Sequence, residues 1–216
     1  RARYTNAGQA LPALKSRQIE AGLKRSGSRY DATLAVFDID RPQWADIGDC
    51  DADASCTRAL DGSARHRGIE GRLVWRDGAW TWQASAMWLD AKRRGSADPA
   101  IDGSRPVNVP AASLRAAVAY RVAAVPGLEL NAALTAEGDR LVLPYDASVR
   151  IPGWSRVDLG AKWVQAIGDR TTITWRAGID NVADRRAWKE SPYQFGHVYL
   201  YPLAPRQWRL TAEASF

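Results

Sequence analysis

The chain has no apolar run long enough for a membrane-crossing helix, which needs about 18 residues or more. The longest candidate, 114–125, is interrupted by Arg115 and Arg121. Helical spans are therefore excluded. Membrane-crossing strands are not, because their alternating faces average to a polar sequence. Histidine is scarce: His66 lies between two arginines and His197 sits in an aromatic stretch. The pair supplies no convincing nucleophile–base–acid set, so the chain does not read as an enzyme. There is no glycine-rich phosphate loop and no paired-cysteine zinc spacing. The net charge of +6 is not gathered into a basic helix or stripe, which argues against nucleic acid. Phenylalanine is rare, with three against ten tryptophans and seven tyrosines, and Trp and Tyr suit a membrane–water interface.

What the chain does contain is alternation. In 207–216, Trp208, Leu210, Ala212, Ala214 and Phe216 point one way, and Gln207, Arg209, Thr211, Glu213 and Ser215 the other. Period 2 denotes a strand with one apolar face, and about ten residues suffice to cross a bilayer when tilted. The pattern recurs in 18–24, 32–39, 68–75, 80–88, 113–121, 128–135, 156–163 and 172–180, about nine strands in all. In 32–39 the alternation is blurred, and Thr33, Ala35, Phe37 and Ile39 are assigned to the lipid face.

Alternation alone fits a soluble sandwich as well. The connections discriminate. Short turns at 26–28, 77–79, 125–127 and 167–169 alternate with long links at 40–65, 90–110, 138–152 and 181–205. That rhythm belongs to an up-and-down membrane barrel with tight periplasmic turns and long external loops. Trp75, Trp80, Trp82, Tyr120 and Trp163 lie near the short turns and form a candidate periplasmic girdle. Nine strands is an odd number, and an open barrel leaves edges that lipid does not tolerate. With no Met before Arg1 and no signal peptide after it, the expectation is a piece of a larger barrel.

Several segments then point to a family. LPALKSRQIEAGLKR followed by ATLAVFDIDRP resembles a strand pair of TonB-dependent outer-membrane receptors, as does RHRGIEG through Gly68 and Glu70. IPGWSRVDLGAKW resembles another strand of that family through Pro152, Gly153, Trp154, Asp158, Leu159 and Trp163. AGIDNVADRRAW resembles a strand end through Asn181, Asp184, Arg185 and Trp188, although Val182-Ala183 stands where the family has Leu-Phe and Trp188 where it has Tyr. APRQWRLTAEASF resembles the closing strand, and the YQFGHVYLYPLAPR stretch is most similar to the siderophore-receptor branch.

The resemblance implies an all-β, antiparallel up-and-down transmembrane β-barrel of about 22 strands with a plugged lumen. Residues 1–216 would be its C-terminal part, without the plug domain and the N-terminal strands. It further implies the outer membrane of a Gram-negative bacterium and import of an iron–siderophore complex, with no resident cofactor. The implied partners are membrane lipid, the missing plug and strands of the same protein, TonB through the missing N-terminus, and the barrel-assembly machinery acting on the terminal Phe216. A passive porin or structural barrel is the alternative.

The candidate ligand-contacting residues are loop aromatics: Trp44, Tyr145, Trp154, Trp188, Tyr193, Phe195 and Tyr199. Rings with polar tips suit large flat chelates, although the same residues could form an upper girdle. Cys50 and Cys56 flank the acidic run DCDADASC and read as a local disulfide, with two free thiols as the alternative. Asp49, Asp51 and Asp53 alternate like the start of a calcium loop, but Ala54 and Leu60 occupy the positions of its Gly and Glu. A solvated acidic loop is preferred, and no metal site is assigned.

Overall fold

The computed structural model describes residues 4–50, 55–168, 170–194 and 196–216. In chain order the strands are β1 (Arg17–Ser26), β2 (Tyr30–Ile47), β3 (Thr57–Asp77), β4 (Trp80–Arg94), β5 (Ala112–Arg121) and β6 (Leu128–Glu137). They continue with β7 (Arg140–Leu143), β8 (Asp146–Ile151), β9 (Trp154–Ile167), β10 (Thr171–Asp180) and β11 (Trp188–Glu190). The last are β12 (Tyr193–Gln194), β13 (His197–Val198), β14 (Tyr201–Pro202) and β15 (Gln207–Ser215).

Nine of these form one antiparallel sheet in the order β1-β2-β3-β4-β5-β6-β9-β10-β15, so each strand neighbours the next sheet strand of the sequence. The short strands pair among themselves as β7–β8, β11–β14 and β12–β13 within the long connections. Tight turns close one end of the sheet and the long connections crowd the other. The result is an up-and-down wall with its elaboration at one end.

The register carries the apolar residues onto one face. Leu23, Leu34, Gly71, Ala86 and Leu114 follow one another across the first five strands, and a second row, Val118, Ala132, Leu159, Ile179 and Trp208, crosses β5, β6, β9, β10 and β15. This face is open: Trp88 is 57% exposed, and Leu34, Leu73, Leu130, Leu159 and Leu210 are exposed as well. A soluble monomer rarely presents so continuous an apolar surface, whereas a lipid-facing wall requires it. The opposite face carries Glu20, Glu70, Arg72, Arg115, Lys162 and Arg176, with Arg176 bonded to Glu213 across strands at 2.8 Å.

Two expectations from the sequence are corrected. The first is the facing of β2. Its outward residues are Ala32, Leu34 and Val36, because they lie opposite Leu73, Gly71 and Ile69 of β3 and, for Leu34 and Val36, opposite Leu23 and Ala21 of β1. Thr33, Ala35 and Phe37 face the polar side beside Lys24, Glu70 and Gly68. A Cβ added to Gly68 would lie 2.5 Å from the Phe37 ring, so the ring has taken the room that the glycine leaves.

The second is the link 40–65, which is largely strand. β2 and β3 continue their ladder to Ile47 and Thr57, interrupted by a bulge in which Asp61 and Gly62 oppose Gln43. Gly62 has φ +61°, and a Cβ there would sit 2.0 Å from the Arg94 carbonyl oxygen. Only glycine fits such a bulge. Above the apolar band both faces are wet, so alternation stops although the backbone pairing does not. The upper limit of the band shows on the outer face. One step beyond Val36, Ile69 and Trp88 come Asp38, Arg67 and Asp90, with Arg65 and Arg67 both bonded to Asp38.

At the turn end the expected girdle assembles. Trp75 lies opposite Trp82, and Trp163 opposite Trp175. Trp80 stacks on Trp82 with centroids 5.7 Å apart and meets Tyr120 at 4.5 Å. The Trp163 indole donates to the Pro126 carbonyl at 3.3 Å.

Candidate functional site

A wall whose middle faces lipid on one side leaves recognition to its loop end. There the connections 95–111, 138–153 and 181–206 build a small core of their own, with Leu141, Val142, Ile151, Trp154 and Leu203 all buried. Its polar centre is Arg140, at the start of β7. One guanidinium nitrogen donates to the Lys189 carbonyl at 2.6 Å, another to the Glu137 carboxylate at 2.5 Å, and Nε to the Asn108 carbonyl at 3.3 Å. Asn108 extends the same knot. Its amide donates to the Leu141 carbonyl at 2.9 Å, and its side-chain oxygen accepts from the Ser191 amide at 2.8 Å. Asn108 has φ +60°, a conformation that asparagine tolerates better than most residues. Three connections far apart in sequence are thereby tied at one point.

A second knot holds the last connection. Asn181 is 0% exposed and also has positive φ. Its side-chain nitrogen donates to the carbonyls of Arg185 and Ala204, each at 2.9 Å, and its side-chain oxygen accepts from the Arg185 amide at 2.8 Å. Its own amide donates to Asp158 at 2.7 Å. The Asp184 carboxylate accepts from the Arg206 amide at 3.0 Å, and this bond is the main reason its carboxyl is held below the usual range.

The candidate aromatics distribute unevenly around these knots. Tyr145, 53% exposed, caps the β7–β8 hairpin and meets Tyr193 edge-on, with centroids 6.3 Å apart. Burial and the neighbouring Tyr145 raise the pKa of Tyr193. Trp188 of β11 and Tyr199 are exposed, and the Tyr199 amide donates to the Pro192 carbonyl at 2.9 Å. Trp44 is half-buried opposite Leu60, beside the bulge. Trp154 departs from the expectation. It is 6% exposed, opens β9 opposite Glu137 and by alternation points to the polar side, so it lines no open surface. Phe195, Asp51 and Asp53 lie outside the described residues.

Cys50 and Cys56 are bonded to each other, and Cys56 is buried. Beside them the N-terminal segment docks on the β2–β3 hairpin. The Tyr4 hydroxyl donates to Asp46 at 2.9 Å, and Arg58 donates to the same carboxylate at 2.7 and 2.8 Å. Phe216 is almost fully exposed at the end of the chain. Among the described residues no group of three His, Cys, Asp or Glu side chains is placed to hold a metal ion.

Sequence reasoning missed Arg140 and Asn108, and found Asn181 only through a motif. The available signal was asparagine in a long connection, a residue that accepts positive φ where glycine is absent.

An ion pair cluster in the loops makes the site pH-sensitive. Arg105 reaches Asp139 at 2.7 Å and Arg150 reaches it at 2.9 Å. The hydrogen bond from Arg105, and then that from Arg150, holds the Asp139 carboxyl below its usual range. A carboxyl lowered by folding contributes fully above its ordinary pKa, and the contribution fades as pH falls through the lower folded value. Amide exchange in 105–108 and 139–150, corrected for intrinsic rates, should stay constant from neutral pH to about 5 and loosen below about 4. Loosening that begins near pH 6 would contradict this assignment.

The β-barrel model of TonB dependent receptor-like proteins matches residues 1–182. The ferrichrome receptor FcuA of Yersinia enterocolitica is 34% identical over 212 residues, covering 98% of this chain and 27% of the relative. The metal-pseudopaline receptor CntO of Pseudomonas aeruginosa is 25% identical over 218 residues, covering 97% of this chain and 29% of the relative. The chain thus spans less than a third of the curated relatives it matches. In fold it is similar to BauA, the ferric preacinetobactin receptor of Acinetobacter baumannii, with a TM-score of 0.82 at 23% identity over 100% of this chain and 32% of that one. The ferric yersiniabactin uptake receptor FyuA of Yersinia pestis gives 0.74 at 18% identity over 95% of this chain and 30% of that one.

Proposed function

The chain belongs to the TonB-dependent receptor β-barrel family, whose members lie in the outer membrane of Gram-negative bacteria, and on that premise we propose that it serves in the import of an iron–siderophore complex. On this reading residues 1–216 form the C-terminal part of the barrel, supplying wall and outer loops. A plug and further strands of the same protein complete it, TonB supplies energy through the N-terminal region, and the assembly machinery reads the terminal Phe216. The protein transports its ligand and does not transform it. Exposed Tyr145, Trp188 and Tyr199, half-buried Tyr193 and Trp44, and Phe195 as a sequence-based candidate, meet the incoming chelate.

The observation that carries the reading is the pairing of an outward apolar wall with loops knotted into a preformed cover at one end. Preformed surfaces lose less entropy on binding than floppy ones. The test is uptake of radiolabelled iron chelates by iron-starved cells of the source organism, with and without the gene. Uptake that depends on the gene and stops with a protonophore supports an energy-coupled receptor. Gene-dependent entry of small solutes that persists in de-energised cells contradicts it and identifies a passive pore.

A further inference from the structure

We propose that the groove above β9, β10 and β15 binds a negatively charged ligand carrying a planar ring. The inference rests on the receptor reading and narrows its cargo to an anionic, aryl-bearing chelate. The groove has a volume of about 590 Å³ and is lined by Pro152, Arg185, Arg186, Trp188, Leu203 and Pro205, among others. That size suits a small-molecule site.

Its walls are fixed before any ligand arrives. Buried Asn181 ties Arg185 on one side to Ala204 on the other, and the Leu203 amide donates to the Ala187 carbonyl at 2.8 Å. The prolines restrict the backbone further.

The cations, by contrast, are uncommitted. The Arg185 guanidinium has no hydrogen-bond or ion-pair partner among the described residues. Among the described residues Arg186 meets only Asp184, at 3.5 Å, and that carboxylate already accepts from the Arg206 amide. Arg186 and Arg206 therefore share a single acid, Asp184, and Arg185 beside them has none among the described residues. A guanidinium presents a planar fork to oxyanions and is less costly to desolvate than an ammonium. Trp188, exposed beside them, offers a face for ring stacking. A neutral chelate without rings would use neither feature.

The test uses the full-length receptor and two probes, the trianionic iron(III) complex of three catecholate groups and a neutral iron(III) trihydroxamate. Binding is read by quenching of tryptophan fluorescence. The wild type should bind the catecholate complex more tightly. The double variant Arg185→Gln/Arg186→Gln should weaken that binding about tenfold or more, the equivalent of about 1.4 kcal/mol, and leave the trihydroxamate within about twofold. Trp188→Leu, which keeps both cations, should weaken the catecholate complex alone, as measured by calorimetry. Equal binding of the two probes, or indifference of the catecholate complex to the arginine pair, overturns the inference while leaving the receptor reading intact. A folded wild-type receptor that binds neither probe overturns the inference, and the uptake assay then decides the receptor reading separately.

Discussion

Replacing Arg140 with methionine is expected to loosen three outer connections at once. The Arg140 side chain is 7% exposed and that of its partner Glu137 is 15% exposed, so the substitution leaves a carboxylate nearly buried without its cation. Breaking a buried pair in this way costs about 3–5 kcal/mol, most of it the penalty on the partner left behind. The loss also removes the donors that the carbonyls of Asn108 and Lys189 accept from. Hydrogen exchange on the full-length protein would read the effect at three amides in two of these connections, one of them bonded to the third connection. These are Asn108, bonded to Leu141, Ser191, bonded to Asn108, and Leu203, bonded to Ala187. All three should lose protection together. Arg150→Met, which removes an exposed partner of Asp139, should change them little, because exposed pairs contribute about 0–1 kcal/mol. Loss of protection confined to 138–153 would mean that Arg140 is local packing and the loops are independent.

The second large effect concerns the wall. Leu159 lies between Ala132 and Ile179 on the outward face, within the apolar band. Leu159→Arg should destabilise the assembled barrel by about 2–4 kcal/mol, the cost of an arginine near the bilayer midplane. Thr174 lies on the opposite face, between Val164 and Glu213, and Thr174→Arg should be much milder because its head remains in water. Denaturant unfolding of the full-length barrel in lipid vesicles measures both. Equal losses at the two positions would contradict the assignment of the faces.

Much of this wall was legible in the sequence because lipid on one side and water on the other impose period 2 wherever both are present. β9 shows it plainly, with Val157, Leu159 and Ala161 against Arg156, Asp158 and Lys162. β2 misled because both of its faces are apolar: Phe37 and Ala35 inside, Val36 and Leu34 outside. Only its neighbours fix the facing, through cross-strand partners that a single segment does not reveal. The upper parts of β2 and β3 were unreadable for the opposite reason, since above the band neither face is selected for apolarity.

The loop site was legible as composition and not as arrangement. Trp154, at the start of β9, and Trp188, in the last long connection, are the same residue, yet one is buried and the other open. Arg140 reaches a carbonyl 49 residues away, a contact that no local pattern encodes. Asn181 illustrates the middle case. Its residue type signals a backbone with positive φ, but its ties to Arg185 and Ala204 emerge only when β10 and β15 are side by side.

The proposed receptor makes this chain one part of a plugged, energy-coupled barrel, and the most direct measurement is the sequence of the reading frame upstream of Arg1 in the source DNA. The expected result is a signal peptide, a short TonB-contact segment, a plug-sized globular region and about thirteen further alternating strands, completing an even-numbered barrel. Barrel strands with no plug-sized region before them would contradict it and leave a passive pore in its place.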